Sequence, residues 1–277
     1  MYQPIPASSN ALTLDDVIAR LTKRDIIAGI LTIGSTAKHT IIPASDYDLL
    51  LILANKPKGL QPYSITHIDG RFTDLLFATS ADLDDILALA KPVPSEGDWH
   101  GSMIRWFQTG EIVYDPTGRL AQVQHKVQME TCLNPLADDG YSGWFTINYN
   151  LAQTRRLVQA NDPVYRAAGE LRLALYAAPD LLFNYFKIRN LRWEGDKAAV
   201  RLLMQHDPDY LQHFQYFMRQ GDPTQKLGLY ERLAALTIAP VGELWPASVT
   251  EITVDRAAVS ASEQESLKQF WEDLISG

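Results

Sequence analysis

The strongest constraint on this chain lies in residues 31–53, LTIGSTAKHTIIPASDYDLLLIL. An apolar run from Ile30 to Ile33 stops at Gly34-Ser35, and a second run, Leu49 to Leu53, follows directly on Ser45-Asp46-Tyr47-Asp48. This pattern predicts two buried strands joined by a polar loop. Asp46 and Asp48 are two positions apart, so an extended strand sends both side chains to one face. Neighbouring carboxylates repel each other unless a cation lies between them. The natural occupant is a hard divalent cation, and Mg²⁺ held by one or two carboxylates plus phosphate oxygens is the common arrangement. The competing reading makes the two Asp residues turn formers that cap the following strand. The position of Asp48, set directly against five apolar residues where Thr or Val would serve a structural strand, favours the metal site.

A second acid extends the pattern. In SITHIDGRFTDLLFAT (64–79), Asp69-Gly70 signals a hairpin turn between two strands. Asp74 then stands between Phe72 and Leu75-Leu76-Phe77. An unpaired charge buried in such a strand is costly, so the position needs a reason. The plain alternative is an exposed Asp on an edge strand.

The whole stretch resembles the signature of the polymerase-β-like nucleotidyltransferase superfamily: an apolar strand, Gly-Ser, a spacer, then Asp-x-Asp on the next strand. Here Gly34-Ser35, the spacer 36–45 and Asp46-Tyr47-Asp48 follow one another without a gap. The resemblance implies that Gly34-Ser35 opens a helix and holds a triphosphate, with Ser45 a further nucleotide-binding candidate. It implies that Asp46 and Asp48 bind Mg²⁺, and that Asp74 is the third metal carboxylate. Asp74 is also the implied base, or its helper, for an attacking hydroxyl. Two Mg²⁺ ions and ATP or another nucleoside triphosphate are the implied cofactor and co-substrate.

The rest of the chain fits an α+β fold in two parts. Residues 1–138 read as the nucleotidyltransferase domain, a small mixed sheet with flanking helices. Its first helix spans 13–23, with Thr13 as cap and Asp15 and Asp16 in the first turn. Ser80 or Asp82 caps a short helix, Trp99 to Thr109 forms another, and 111–118 gives a short strand and a turn. The passage Asp115-Pro116-Thr117-Gly118 resembles one that often closes small nucleotidyltransferase domains, with Asp115 itself a turn or cap residue. A helix from about Leu120 to Cys132 follows. Turn formers in 134–143 then mark the boundary.

Residues 139–277 read as an α-helical bundle of about five helices, closed by an acidic C-terminal helix with Leu267, Phe270, Trp271 and Leu274 on one side. Asp162-Pro163 and Asp207-Pro208 start two of the helices, and Asp180 caps another. Here the chain is similar, more loosely, to kanamycin- and streptomycin-type adenylyltransferases, which are implicated in antibiotic resistance. The segment Lys187 to Lys197 resembles an aromatic-x-Gly-acid-Lys element of such helical domains, and Lys197 is the candidate for the β- and γ-phosphates. A solvated basic turn is the alternative. Glu170 is a candidate base for the acceptor hydroxyl, against an ordinary helix-face Glu. Trp144, Tyr149, Tyr176, Tyr185 and Trp193 are candidate walls of a substrate cleft, although most are expected in the core.

Composition narrows the partners. The net charge of −8 argues against an extended nucleic-acid surface and suits a small or cationic acceptor. No apolar run is long enough to span a membrane. The N-terminal residues show no signal-peptide pattern, and the single Cys132 excludes an internal disulfide framework and a cysteine-based zinc site. A cytoplasmic monomer or homodimer is expected. Three functions compete: nucleotidyl transfer to a small hydroxylated acceptor such as an aminoglycoside, nucleotidyl transfer to a protein or RNA end, and a non-catalytic nucleotide-binding regulatory module.

Overall fold

The computed structural model describes residues 12–38, 41–55, 57, 63–95, 97–136 and 139–246. The expected acidic C-terminal helix lies outside them. The fold is α+β. The chain divides into two compact units, Met1–Pro135 and Leu136–Gly277.

The first unit is built on a five-stranded sheet. Its strands are β1 (Ile27–Thr32), β2 (Tyr47–Leu53), β3 (Tyr63–Ile68), β4 (Arg71–Thr79) and β5 (Glu111–Tyr114), in the spatial order β3-β4-β2-β1-β5. β1 runs antiparallel to β2 and to β5. β3 and β4 form a hairpin, while β2 and β4 are parallel. The hairpin turn is Asp69-Gly70, with φ of 54° and 69°. Two successive left-handed residues match the twist of paired strands, which explains why Asp-Gly occupies this turn.

Side-chain alternation sorts the sheet into two apolar faces. Tyr47, Leu49, Leu51 and Leu53 point to one side with Ile27 and Ile30, under Leu14, Val17, Ile18 and Leu21 of helix α1 (Leu14–Leu21). Leu50, Ile52, Leu31 and Ala78 point to the other. There they meet Leu83 and Ile86 of α3 (Ser80–Ala88), Met103, Ile104 and Phe107 of α4 (Trp99–Thr109), and Leu120 and Val123 of α5 (Arg119–Met129). A short α2 (Gly34–Ala37) follows β1.

Helix starts follow local hydrogen bonding. Thr13 and Asp16 form a capping box on α1. On α3 the cap is Thr79, one residue before the expected Ser80, and Asp82 completes the box from the third helical position. Asp115 serves α5 as expected of a cap: its Oδ2 accepts the Ala121 N–H at 2.9 Å.

The second unit contains six helices among the described residues: α6 (Gly140–Val158), α7 (Pro163–Leu175), α8 (Ala177–Ile188), α9 (Asp196–His206), α10 (Pro208–Arg219) and α11 (Pro223–Ile238). Pro begins α7, α10 and α11, each behind an Asp cap. Asp180 is not a cap. Helix α8 starts three residues earlier, and Asp180 accepts a hydrogen bond from Asn150 Nδ2 at 2.6 Å. Among the described residues, no helix is long and apolar enough to cross a membrane.

Candidate active site

The parallel pairing of β2 and β4 makes the site. Its register sets Asp48 directly beside Asp74. Neighbouring strands lie about 4.8 Å apart, and paired residues of a parallel ladder share a face. That face is the one carrying Leu50, Ile52 and Ala78 beneath the helices. The two acids stand toward the strands' starts, where both are only half-buried. β4 is flanked by β3 and β2, so Asp74 is not on an edge strand.

The loop after β1 closes on Asp48. Its carbonyl accepts the Ile33 N–H at 3.1 Å, and its own N–H donates to Thr36 Oγ1 at 3.1 Å. Gly34 has φ of 62°, and a Cβ added there would lie 2.7 Å from Asp48 Oδ2. Only glycine lets this turn lie against the carboxylate. Ser35 follows, with a buried hydroxyl that has no hydrogen-bond partner among the described residues. A buried hydroxyl left unsatisfied carries a desolvation cost, and so marks a place for a missing acceptor or donor.

Asp74 has a partner to which the sequence offers no pointer. The Tyr63 hydroxyl donates to Asp74 Oδ1 at 2.6 Å. That bond holds the phenol above its ordinary pKa, with burial and the charges of Asp74 and Asp48 adding to the effect. Tyr63 begins β3 and pairs with Leu76, two residues beyond Asp74. Nothing in the sequence marks it, because the contact depends on hairpin register.

Arg71 is silent in the sequence for the same reason. Its Nη1 donates to the carbonyls of Ile42, Pro43 and Ser45 at 2.5, 3.2 and 3.2 Å. The guanidinium thus gathers the loop before β2, and it also lies over the Tyr47 ring at 5.6 Å. Ser45 is tied into that loop, where its Oγ accepts the Ile42 N–H at 3.1 Å. Asp46 immediately precedes β2, half-buried and in the same alternation as Asp48.

Lys197 and Glu170 belong to the helical unit. Lys197 is exposed in the first turn of α9, and Glu170 is exposed on α7. The candidate cleft aromatics have separate roles. Tyr185 is buried in the bundle core and Trp193 packs against Phe183 and Phe186. Trp144 donates from Nε1 to the Glu243 carbonyl. Tyr149 stacks on Phe145, and Tyr176 lies beneath Arg172.

No family model matches this chain. No curated protein matches it either. Among solved structures, the crystal structure of a nucleotidyltransferase-like protein from Exiguobacterium sibiricum 255-15 is similar over 80% of this chain and 72% of that one, at 11% identity and a TM-score of 0.39. A likeness that faint says nothing about substrate or chemistry.

The geometry bears on metal binding directly. Among the described residues, no three His, Cys, Asp or Glu side chains gather as a ligand set. A pair of carboxylates on adjacent strands is nevertheless a donor set that Mg²⁺ accepts, since it commonly takes one or two carboxylates and fills its other positions with phosphate and water oxygens. The glycine turn against Asp48 and the unpartnered Ser35 hydroxyl fit a phosphate-bearing ligand at the same place.

Proposed function

We propose that this protein is a nucleotidyltransferase that moves a nucleoside monophosphate from a nucleoside triphosphate, ATP in the first instance, to the hydroxyl of a small acceptor. The observation that carries the reading is the Asp48–Asp74 pair, abreast on parallel strands, with the Gly34 turn pressed against Asp48. Asp48 and Asp74 would hold Mg²⁺, and Asp46, immediately before β2, would be a further carboxylate available to it. When bound, the ion would neutralise charge on the triphosphate and the departing pyrophosphate.

The chain's own groups divide the remaining work. Gly34, which has no side chain, lets the turn lie directly against the Asp48 carboxylate. The Ser35 hydroxyl, without a partner among the described residues, would donate to a phosphate oxygen. Asp74 would accept the proton of the acceptor hydroxyl as that oxygen attacks the α-phosphorus, and pyrophosphate would leave from the opposite side. The net charge of −8 suits a polycationic acceptor such as an aminoglycoside.

Calorimetric titration of ATP with Mg²⁺ into the wild type and Asp48→Asn tests the reading. Binding to the wild type should depend on Mg²⁺. The variant should bind roughly ten- to a hundredfold more weakly, as expected for the loss of an interaction with a charged group. If no triphosphate binds the wild type, the proposal fails.

A further inference from the structure

The hydroxyl that the fold brings to Asp74 is the chain's own. Tyr63 Oη lies 2.6 Å from Asp74 Oδ1, with the proton directed at the carboxylate. Asp74 is the group assigned above to take the acceptor's proton, so Tyr63 stands where an acceptor hydroxyl would have to stand. Its ring is not locked in the core: Tyr63 is 46% exposed on β3, an edge strand of the sheet. Ile65, the strand partner of Asp74, is 52% exposed on the same face, and Phe72 is 46% exposed. Among the described residues, the phenol and these two neighbours are thus exposed on the face that carries Asp48 and Asp74.

A side chain that only braced Asp74 would not need to be an exposed phenol on an edge strand. A buried Ser, Thr or Asn, or a backbone N–H, would orient the carboxylate as well. The arrangement seen here pairs a nucleophilic oxygen, hydrogen-bonded to a base, with a carboxylate neighbour suited to the metal of a triphosphate. That is the relation of nucleophile and base required for transfer to a side-chain oxygen.

We propose that Tyr63 is an internal acceptor, and that the protein nucleotidylates itself on the Tyr63 hydroxyl. The inference rests on the nucleotidyltransferase reading of the same site. In the reaction Tyr63 Oη attacks the α-phosphorus of a nucleoside triphosphate, and an Oη–P bond forms. The bond between the α-phosphorus and the bridging oxygen to the β-phosphorus breaks, and its electron pair leaves with pyrophosphate. The phenolic proton passes to Asp74 and then to solvent. The product is a tyrosyl phosphodiester carrying one nucleoside monophosphate. Modified Tyr63 has no phenolic proton and can no longer donate to Asp74.

The experiment needs no knowledge of an external acceptor. The full-length protein is incubated with ATP and Mg²⁺, then weighed intact by mass spectrometry and mapped by peptide sequencing. ATP binding is measured in parallel by calorimetry. The wild type should gain the mass of one adenylyl group, located on Tyr63. Tyr63→Phe should gain none, and its thermal melt should show that it is folded. Asp74→Asn should also gain none. A wild type that binds ATP but gains no mass, or is labelled on another residue, overturns the internal-acceptor proposal and leaves the nucleotidyltransferase reading standing. A wild type that binds no triphosphate overturns both.

Discussion

At the scale of single residues, Gly34 constrains the site most tightly. Its φ of 62° and the 2.7 Å that would separate an added Cβ from Asp48 Oδ2 are two independent objections to any side chain there. Gly34→Ala must therefore hold a left-handed backbone and also displace the carboxylate. The left-handed conformation alone costs an L-residue about 1–2 kcal/mol. Urea denaturation should show a loss of at least that size, and ATP titration should show weakened binding, because Asp48 must turn away. A variant with wild-type affinity would mean that the turn is not part of the nucleotide site. Gly34 and Asp48 are both legible in the sequence, for different reasons. Gly34 is legible from its place beside a serine at the end of an apolar run, and Asp48 from its place against Leu49–Leu53. Tyr63 and Arg71 are not. Each acts through a partner 11 or more positions away, Asp74 in one case and the 42–45 carbonyls in the other.

At the scale of elements, local chemistry decides most boundaries. The Asp-Gly turn of the β3–β4 hairpin can be read directly, because two left-handed residues are a demand few dipeptides meet. The Asp-Pro helix starts are equally plain. Helix α3 is harder, since Thr79, Ser80 and Asp82 can all cap. Thr79 is the cap because it is the last residue of β4 and so already extended, with φ −119° and ψ 165°. Thr79→Ala removes the acceptor for the Asp82 N–H and half of the capping box. The expected loss is about 1 kcal/mol, measured as a shift in the urea midpoint with an unchanged slope. Helix α8 misleads for the opposite reason. Asp180 has the residue type of a cap, but its side chain reaches across to Asn150 on α6, and Ala177 begins the helix.

At the scale of the whole molecule, the two units are stabilised differently. The sheet unit rests on two apolar layers, one on each face. The helical unit has one large core with a half-buried polar network beside it. Arg172 donates to Asn150 Oδ1 and Thr154, and Asn150 donates to Asp180. Burial pushes the Asp180 carboxyl above its ordinary pKa, and this outweighs the opposing effects of Asn150 and Arg172. Burial also raises the pKa of the Tyr230 phenol, and the charge of Asp180 adds to that rise. A carboxyl with a raised pKa in the folded state contributes stability below its unfolded pKa and loses it as pH rises through the folded value. Relative to Asp180→Asn, which cannot ionise, the wild type should therefore be less stable at about pH 7 than at about pH 3. Paired urea titrations at the two pH values would measure this. A difference that stays constant with pH, or moves the other way, would show that Asp180 is not strained by its surroundings.

The parallel register of β2 and β4 also has a consequence for how the protein assembles. The β3–β4 hairpin closes through a two-residue turn and can form early from local contacts. It must then dock alongside β2. A slip of one residue would turn Asp74 to the α1 face and point Leu75 and Phe77 toward α3, α4 and α5. The two carboxylates stand abreast only when that docking is correct. A ligand bridging them would therefore bind the correctly aligned sheet and no slipped form, and would act as a proofreader of strand alignment during folding.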